Sequence, residues 1–393
     1  MRRRDFLRST GLVTTSLLVP RFLHGMGGVL MLNGRKLVVV QLTGGNDGLN
    51  TIVPLRSDDY YRLRPKLAIA RDLALPITDG VGLNPGMSAL RPLFDDGRLC
   101  VINGVGYPDP DRSHFRSMDI WHTASGSDTF LDTGWLGRYL DARHTSPHDV
   151  VEFGGTLSLA NKGERVKALA MNDPARFLQA AREPWFAKLA SGGHAAEHQQ
   201  LGYLYRTMAE TYQSAGHIQE RLKPRTTSVV FPKTAFATQL RHVSAFIQSG
   251  METSVYYTSA GGFDTHVNQA VKHQKLWTEV GAGIAAFVDD LRAAGLGKEV
   301  LVMVFSEFGR RAKENASNGT DHGTAGPVLL IGEGLKKPGA FNALPSLTDL
   351  DGNGDLQFTI DFRRIYATLL KDWLGTEPGA VLGGRFDKLP VVG

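Results

Sequence analysis

Residues 299–332 read EVLVMVFSEFGRRAKENASNGTDHGTAGPVLLIG. Residues 300–305, VLVMVF, form an unbroken apolar run, the pattern of a parallel strand buried on both faces. Residues 327–331, PVLLI, are a second run of the same kind. Between the runs stand Ser306, Glu307, Arg310, Asp321 and His322, spaced by Gly309, Gly319, Gly323 and Gly326. In open α/β sheets, ligands gather where strands end and loops begin. A carboxylate just past one strand and an Asp-His pair just before the next mark a candidate site, with side chains that suit a metal ion.

The same strand-then-polar-loop pattern recurs on either side. Residues 35–42, RKLVVVQL, predict a first buried strand, followed by TGGNDGLN over 43–50. Glycines around a carboxylate at a strand end let the chain turn tightly and present Asp47 at the sheet edge. The alternative is an Asn-Asp-Gly turn in which Asp47 serves only as a cap. Residues 99–103 predict a second strand holding Cys100, the sole cysteine, so no internal disulfide forms. Beyond two prolines, a helix is expected to start at Ser113. A hydroxyl at a helix N-terminus faces free N–H groups and the positive dipole end, a setting for a nucleophile; the plainer reading is an N-cap, by Ser113 or Asp111. His114 and His122 follow as weaker candidates, more readily packed or surface histidines than ligands. Residues 254–258 predict a short strand, and Asp264 and His266 follow it before a long helix over 267–294. On an extended loop these two side chains point the same way and can grip one ion, unless Asp264 or Thr265 merely caps the helix. His273, two helical turns on, is a possible supporting residue.

Strands alternating with helical stretches predict an α/β protein with a mostly parallel central sheet and helices on both faces. Residues 125–250 carry mostly helical patterning and are expected as a helical insertion or cap within a domain spanning 31–393. His194 and His198 have the spacing of a helical ligand pair, but a glycine-rich flank favours a solvated helix start. The acidic stretch Asp349–Asp355 overlays the first half of a calcium loop, yet Ile360 stands where the bidentate Glu belongs, so a polar turn is expected. No phosphate-cradling GxxxxGK and no GxGxxG fingerprint is present.

The N-terminus reads differently. Arg2-Arg3-Arg4-Asp5-Phe6-Leu7-Arg8 precedes a short apolar run over 12–19 and then Pro20. That is the pattern of an export signal, and Arg3-Arg4-x-Phe6-Leu7-Arg8 matches the twin-arginine kind. Residues 1–30 are therefore expected as a signal, engaging the twin-arginine machinery and delivering a periplasmic or otherwise exported chain. The run is too short for a stable membrane span. Of the formal net charge of +5, the first 26 residues carry +4 (five Arg less one Asp), which leaves about +1. A near-neutral remainder gives no footprint for nucleic acid.

Taken in order, LVVVQLTGGNDGLNTIVPL, GGFDTHVNQAVKHQKLW, VMVFSEFGRRAKENASNGTDHGTAGPVLLIG and DFRRIYATLLKDWLG resemble the alkaline-phosphatase and sulfatase superfamily. More closely, they resemble its often twin-arginine-exported domain-of-unknown-function family numbered fifteen-oh-one. The resemblance implies an alkaline-phosphatase-like fold and two divalent ions (Zn, Mn, Mg or Ca) acting on a small anionic ester of phosphate or sulfate. It implies Ser113 as nucleophile and Asp47, Asp264, His266, Glu307, Asp321 and His322 as the metal-binding set. His322 would go with Asp264 and His266, Glu307 with Asp47 and Ser113, and Asp321 would orient a neighbour. Arg310 or Arg116 would bind ester oxygens. The chain departs from the pattern at Phe308, where working phosphatases carry an imidazole, and at the Asp-x-His spacing, which leaves Asn268 at the usual second position. The sulfatase Cys/Ser-x-Pro-x-Arg signature is absent. The expectation is an exported metal-dependent ester hydrolase with a degenerate second metal site. The alternatives are a non-catalytic envelope binding or assembly protein that keeps the fold, and a metal-free Ser113 hydrolase, for which no GxSxG elbow exists.

Overall fold

The computed structural model describes residues 34–143, 145–191, 199–222 and 227–393. The expected export signal and the His194/His198 pair lie outside the described residues. Twelve strands occur in the described chain: β1 (Lys36–Leu42), β2 (Ile52–Pro54), β3 (Leu75–Pro76), β4 (Val81–Leu83), β5 (Leu99–Gly106), β6 (Val150–Phe153), β7 (Leu169–Ala170), β8 (Val255–Ala260), β9 (Val300–Ser306), β10 (Gly326–Ile331), β11 (Gly339–Ala340) and β12 (Ile360–Asp361). Nine of them form one sheet in the order β11-β5-β10-β9-β1-β8-β6-β7, with β12 also on β5; β2, β4 and β3 form a small second sheet.

The apolar runs explain the centre of the sheet. β1 pairs in parallel with β8 and β9, and Val39 lies between Tyr257 and Met303. Its alternate residues feed two different cores. Leu37 and Val39 join Trp121, Trp135, Tyr139, Ile365 and Tyr366 on one face. Val38 and Val40 join Leu240, Phe246, Trp277, Ile284 and Phe287 on the other. Each β1 side chain can be apolar because both faces are covered by helices: His114–Thr123, Trp135–Arg143 and Phe362–Thr368 on the first, Ala235–Gln248 and Gln269–Ala293 on the second. The structure is thus the expected α/β type, a mostly parallel sheet with helices on both faces.

Two features differ from the sequence reading. β10 has the composition of a parallel strand but pairs antiparallel with both β5 and β9; an apolar run records burial on two faces, not direction. The 125–250 span is not helical alone, since it contributes β6 and β7 to the sheet. β1, β5, β8 and β9 all run the same way and end at one edge, where β10 begins. The loops around 43–47, 107–113, 261–266 and 307–325 therefore meet there.

Candidate metal centre

The 261–266 and 307–325 loops, with the helix start that follows 107–113, bring charged groups together around Asp264. Its Oδ1 lies 3.0 Å from His266 Nε2, 3.3 Å from His322 Nε2 and 3.5 Å from His114 Nε2. The His266 and His322 Nε2 atoms are 2.9 Å apart. Donor atoms of His114, Asp264 and His322 all fall within 4.8 Å of one another. In a tetrahedral zinc site, donors at about 2.0–2.2 Å from the ion are roughly 3.3–3.6 Å from each other, close to these spacings.

The far side of each ring is equally informative. His114 Nδ1 meets Glu307 Oε1 at 2.8 Å, His322 Nδ1 meets the Arg112 carbonyl at 2.8 Å, and His266 Nδ1 lies 3.5 Å from Asp321 Oδ1. An oxygen at Nδ1 holds the proton there and leaves the Nε2 lone pair free, the arrangement that orients histidines toward a metal. His114 Nε2 is buried and has no hydrogen-bond partner among the described residues. A buried, unpartnered nitrogen aimed at a carboxylate and another imidazole fits a cation between them. The imidazoles of His114 and His322 with the Asp264 carboxylate are a donor set for a divalent transition ion, and His266 flanks them beside Asp264 and His322.

The carboxylates are held ionised. Burial pushes Asp264 up, but the Arg310 guanidinium, with help from His322 and His266, more than reverses this and brings it to about 2. Burial opposes Glu307 in the same way, and hydrogen bonds from His114 and from the Gly44 N–H, the latter 2.8 Å long, lower it overall. Asp321 is lowered chiefly by its hydrogen bond from Asn315 at 3.1 Å. His114 is raised, first through its bond to Glu307; the field that favours a proton on that ring favours a metal cation too.

Of the residues singled out in the sequence, Asp264, His266 and His322 converge as donors, while Glu307 and Asp321 stand behind His114 and His266. Glu307 thus joins the same cluster, rather than a second one with Asp47. Asp47 is elsewhere: fully buried, with Oδ2 2.6 Å from Arg64 Nη1 and bonded by Gln269, and Oδ1 capping the short helix Gly48–Thr51. Asp47 is thus a helix cap and ion-pair partner, and among the described residues it joins no group of three close donors, as Asp264 does. Arg310 cannot take ester oxygens either. Its Nε donates to the Gly45 carbonyl, Nη1 to that of Thr320, and Nη2 to those of Gly44 and Phe263 and to Asp264. Its fork is spent on fixing the loops and Asp264. Arg116 likewise donates to the carbonyls of Gly126, Ser127 and Thr129.

Ser113 is the N-cap residue of His114–Thr123, but its side chain makes no capping bond; the exposed hydroxyl is free and adjoins His114. Phe308 packs as a wall, its ring 4.8 Å from both His114 and His322. Asn268 is the residue before the long helix, in the left-handed region at φ 49°, and makes no ligand. His122 and His273 are core residues, bonded to Gln41 and Tyr257 and to Asn46 respectively. The 351–355 turn holds no calcium set, because Arg112 occupies Asp351 and Asp355. The sequence reading ranked His114 low. The signal that could have raised it was the imidazole missing at Phe308, with one histidine standing at the expected helix start.

The family described as "Protein of unknown function (DUF1501)" matches residues 103–383, which carry His114, Asp264, His266, Glu307 and His322. The chain belongs to this family. Among curated proteins, none matches the sequence. Solved structures similar to this DUF1501 chain include the lipoteichoic acid synthase LtaP from Listeria monocytogenes (10% identity, 79% of this chain and 68% of that one, TM-score 0.37). The phosphonate monoester hydrolase SpPMH from Silicibacter pomeroyi is another (10% identity, 90% and 78%, TM-score 0.39). A third is the PsFucS1 sulfatase from Pseudoalteromonas sp. (11% identity, 90% and 70%, TM-score 0.39). Likenesses this distant decide nothing about chemistry, which has to come from the site itself.

Proposed function

We propose that this DUF1501 protein is an exported, metal-dependent hydrolase of phosphate or sulfate esters. The observation that carries the reading is the convergence of three imidazole Nε2 atoms on Asp264 Oδ1, each ring braced from behind by an oxygen. A divalent cation held by these residues supplies charge stabilisation for the anionic centre of an ester. The rest is the chain's own work. Free N–H groups at the start of His114–Thr123 face the same edge and favour an anion. The Ser113 hydroxyl, uncapped and exposed, would attack the phosphorus or sulfur as the ester bond breaks, its proton passing to the departing alcohol, and water would then cleave the seryl ester to restore Ser113. The buried Phe308 ring packs against His114 and His322 and holds their orientation. The site opens to solvent: the Asp264 side chain is 48% exposed and that of His266 39%, so a small anionic ester can reach it. Export rests on the twin-arginine pattern of residues 1–30, and no helix among the described residues is long and apolar enough to cross a membrane.

One observation favours the non-catalytic envelope reading: His266 flanks the three close donors, and a fourth protein ligand would close the ion as in structural zinc sites. The two readings part on turnover. Metal-loaded protein is expected to cleave an aryl phosphate or aryl sulfate, with activity abolished in Ser113→Ala and His322→Ala. Loaded protein that cleaves neither, while losing its fold or a partner when His322 is changed, supports the envelope role instead.

A further inference from the structure

We infer that the centre takes a single ion of the zinc class and that a protein cation, Arg64, occupies the place where a second metal would otherwise neutralise Asp47. The inference rests on the metal reading above but not on catalysis. Arg64 is fully buried, as is Asp47. It ends the helix Asp58–Leu63, just before Pro65, and reaches across to the sheet edge. Its Nη1 donates to Asp47 Oδ2 at 2.6 Å and to Asn50 Oδ1 at 2.8 Å, its Nε to the Ala312 carbonyl at 2.9 Å and its Nη2 to that of Arg311 at 2.8 Å. All three nitrogens of the guanidinium donate, and Asp47 Oδ2 accepts from both Arg64 and Gln269. A buried carboxylate needs a compensating charge; here that charge is covalently part of the chain. A metal beside Asp47 would place two cations against one fully buried carboxylate, whereas Asp264, which also accepts from Arg310 Nη2 at 2.6 Å, is 48% exposed and its second cation is screened by solvent.

Glu307, the other carboxylate on which a second ion would depend, is equally engaged. Its Oε1 accepts from His114 Nδ1 and the Gly44 N–H, and its Oε2 from the Ser306 hydroxyl at 3.0 Å. What remains is one nitrogen-rich set, His114 and His322 with Asp264, flanked by His266. Imidazole donors select zinc, cobalt, nickel or copper over the oxygen-seeking magnesium and calcium. His114 makes up for the imidazole absent at Phe308, from the opposite wall.

The test is metal counting on the purified full chain. It is stripped with chelator, dialysed separately against Zn, Co, Mg and Ca, freed of excess ion and analysed for element per chain. One Zn or one Co is expected, with Mg and Ca not retained. His114→Ala is expected to lower Zn affinity at least tenfold in a chelator competition, and Asp47→Asn to leave both count and affinity unchanged. Two ions per chain, retention of Mg or Ca in preference to Zn, no ion at all, or wild-type affinity in His114→Ala would each overturn the inference. If Asp47→Asn does not fold, the wild-type count decides alone. One Zn per chain without ester cleavage would sink the hydrolase reading and leave this inference standing.

Discussion

Glu307 shows how much at this site depends on a residue that touches no donor position itself. Its carboxylate fixes the proton on His114 Nδ1, which leaves the Nε2 lone pair of the ring free for a cation. Outer partners of this kind contribute about ten- to a hundredfold in metal affinity. Glu307→Gln, which keeps the shape and weakens the acceptor, is expected to lose that much in a zinc competition assay while its circular dichroism stays native. Arg64 is a second case. Arg64→Ala leaves the Asp47 carboxylate buried and unpaired, which costs about 3–5 kcal/mol. A urea titration should show that loss, and a change under about 1 kcal/mol would mean that Asp47 finds water instead. Residue by residue, the sequence was legible where chemistry follows strand ends: Asp264, His266 and His322 stand together as read. It misled at Asp47 and Arg310, whose partners are set by Arg64, Gln269 and four backbone carbonyls. Those lie far away in the chain, and no local pattern announces them.

At the scale of elements, the 307–325 loop behaves as a lining pressed backbone to backbone on the 261–266 loop. A Cβ at Gly319 would lie 2.1 Å from the His266 carbonyl oxygen, and one at Gly323 2.5 Å from the Arg310 carbonyl carbon. Only glycine allows such approach. Gly319→Ala must push the His266 segment away, at a cost of about 1–3 kcal/mol, and with it His266 Nε2 from Asp264. Zinc affinity should fall together with thermal stability; wild-type affinity in that variant would show that the loop is not what places His266. The strands themselves were legible from the two-faced apolar runs, and the long helix Gln269–Ala293 matches the expected 267–294 closely. The antiparallel run of β10 was not, because the direction of a strand is decided by the connection that feeds it. The strands β6 and β7 were hidden for another reason: at 4 and 2 residues they are too short to print a period.

Over the whole molecule, the buried histidines set the response to acid. Burial pushes His122 and His273 down to about 4, so the folded chain refuses protons that the unfolded chain accepts near the ordinary histidine value of about 6.5. The folded value is the lower one. Stability is therefore complete above about pH 6.5 and is lost as pH falls through the window down to about 4, by about 3 kcal/mol per ring. The urea midpoint should be level from pH 8 to 7 and fall steeply below 6.5, less so in His122→Gln; a flat profile would show that the rings take up protons without unfolding. The two-layered cover of the sheet was readable from composition and run length, whereas the convergence of three segments on one oxygen is a product of sheet order, which no stretch of sequence carries. The claim on which the rest depends is that Asp264 and its three histidines bind a divalent ion. The most direct check is the thermal midpoint of the full chain with zinc added and with zinc removed by chelator, beside His322→Ala. The account predicts a midpoint that rises with zinc and falls on chelation in the wild type and stays still in the variant. A wild-type midpoint indifferent to both would contradict it.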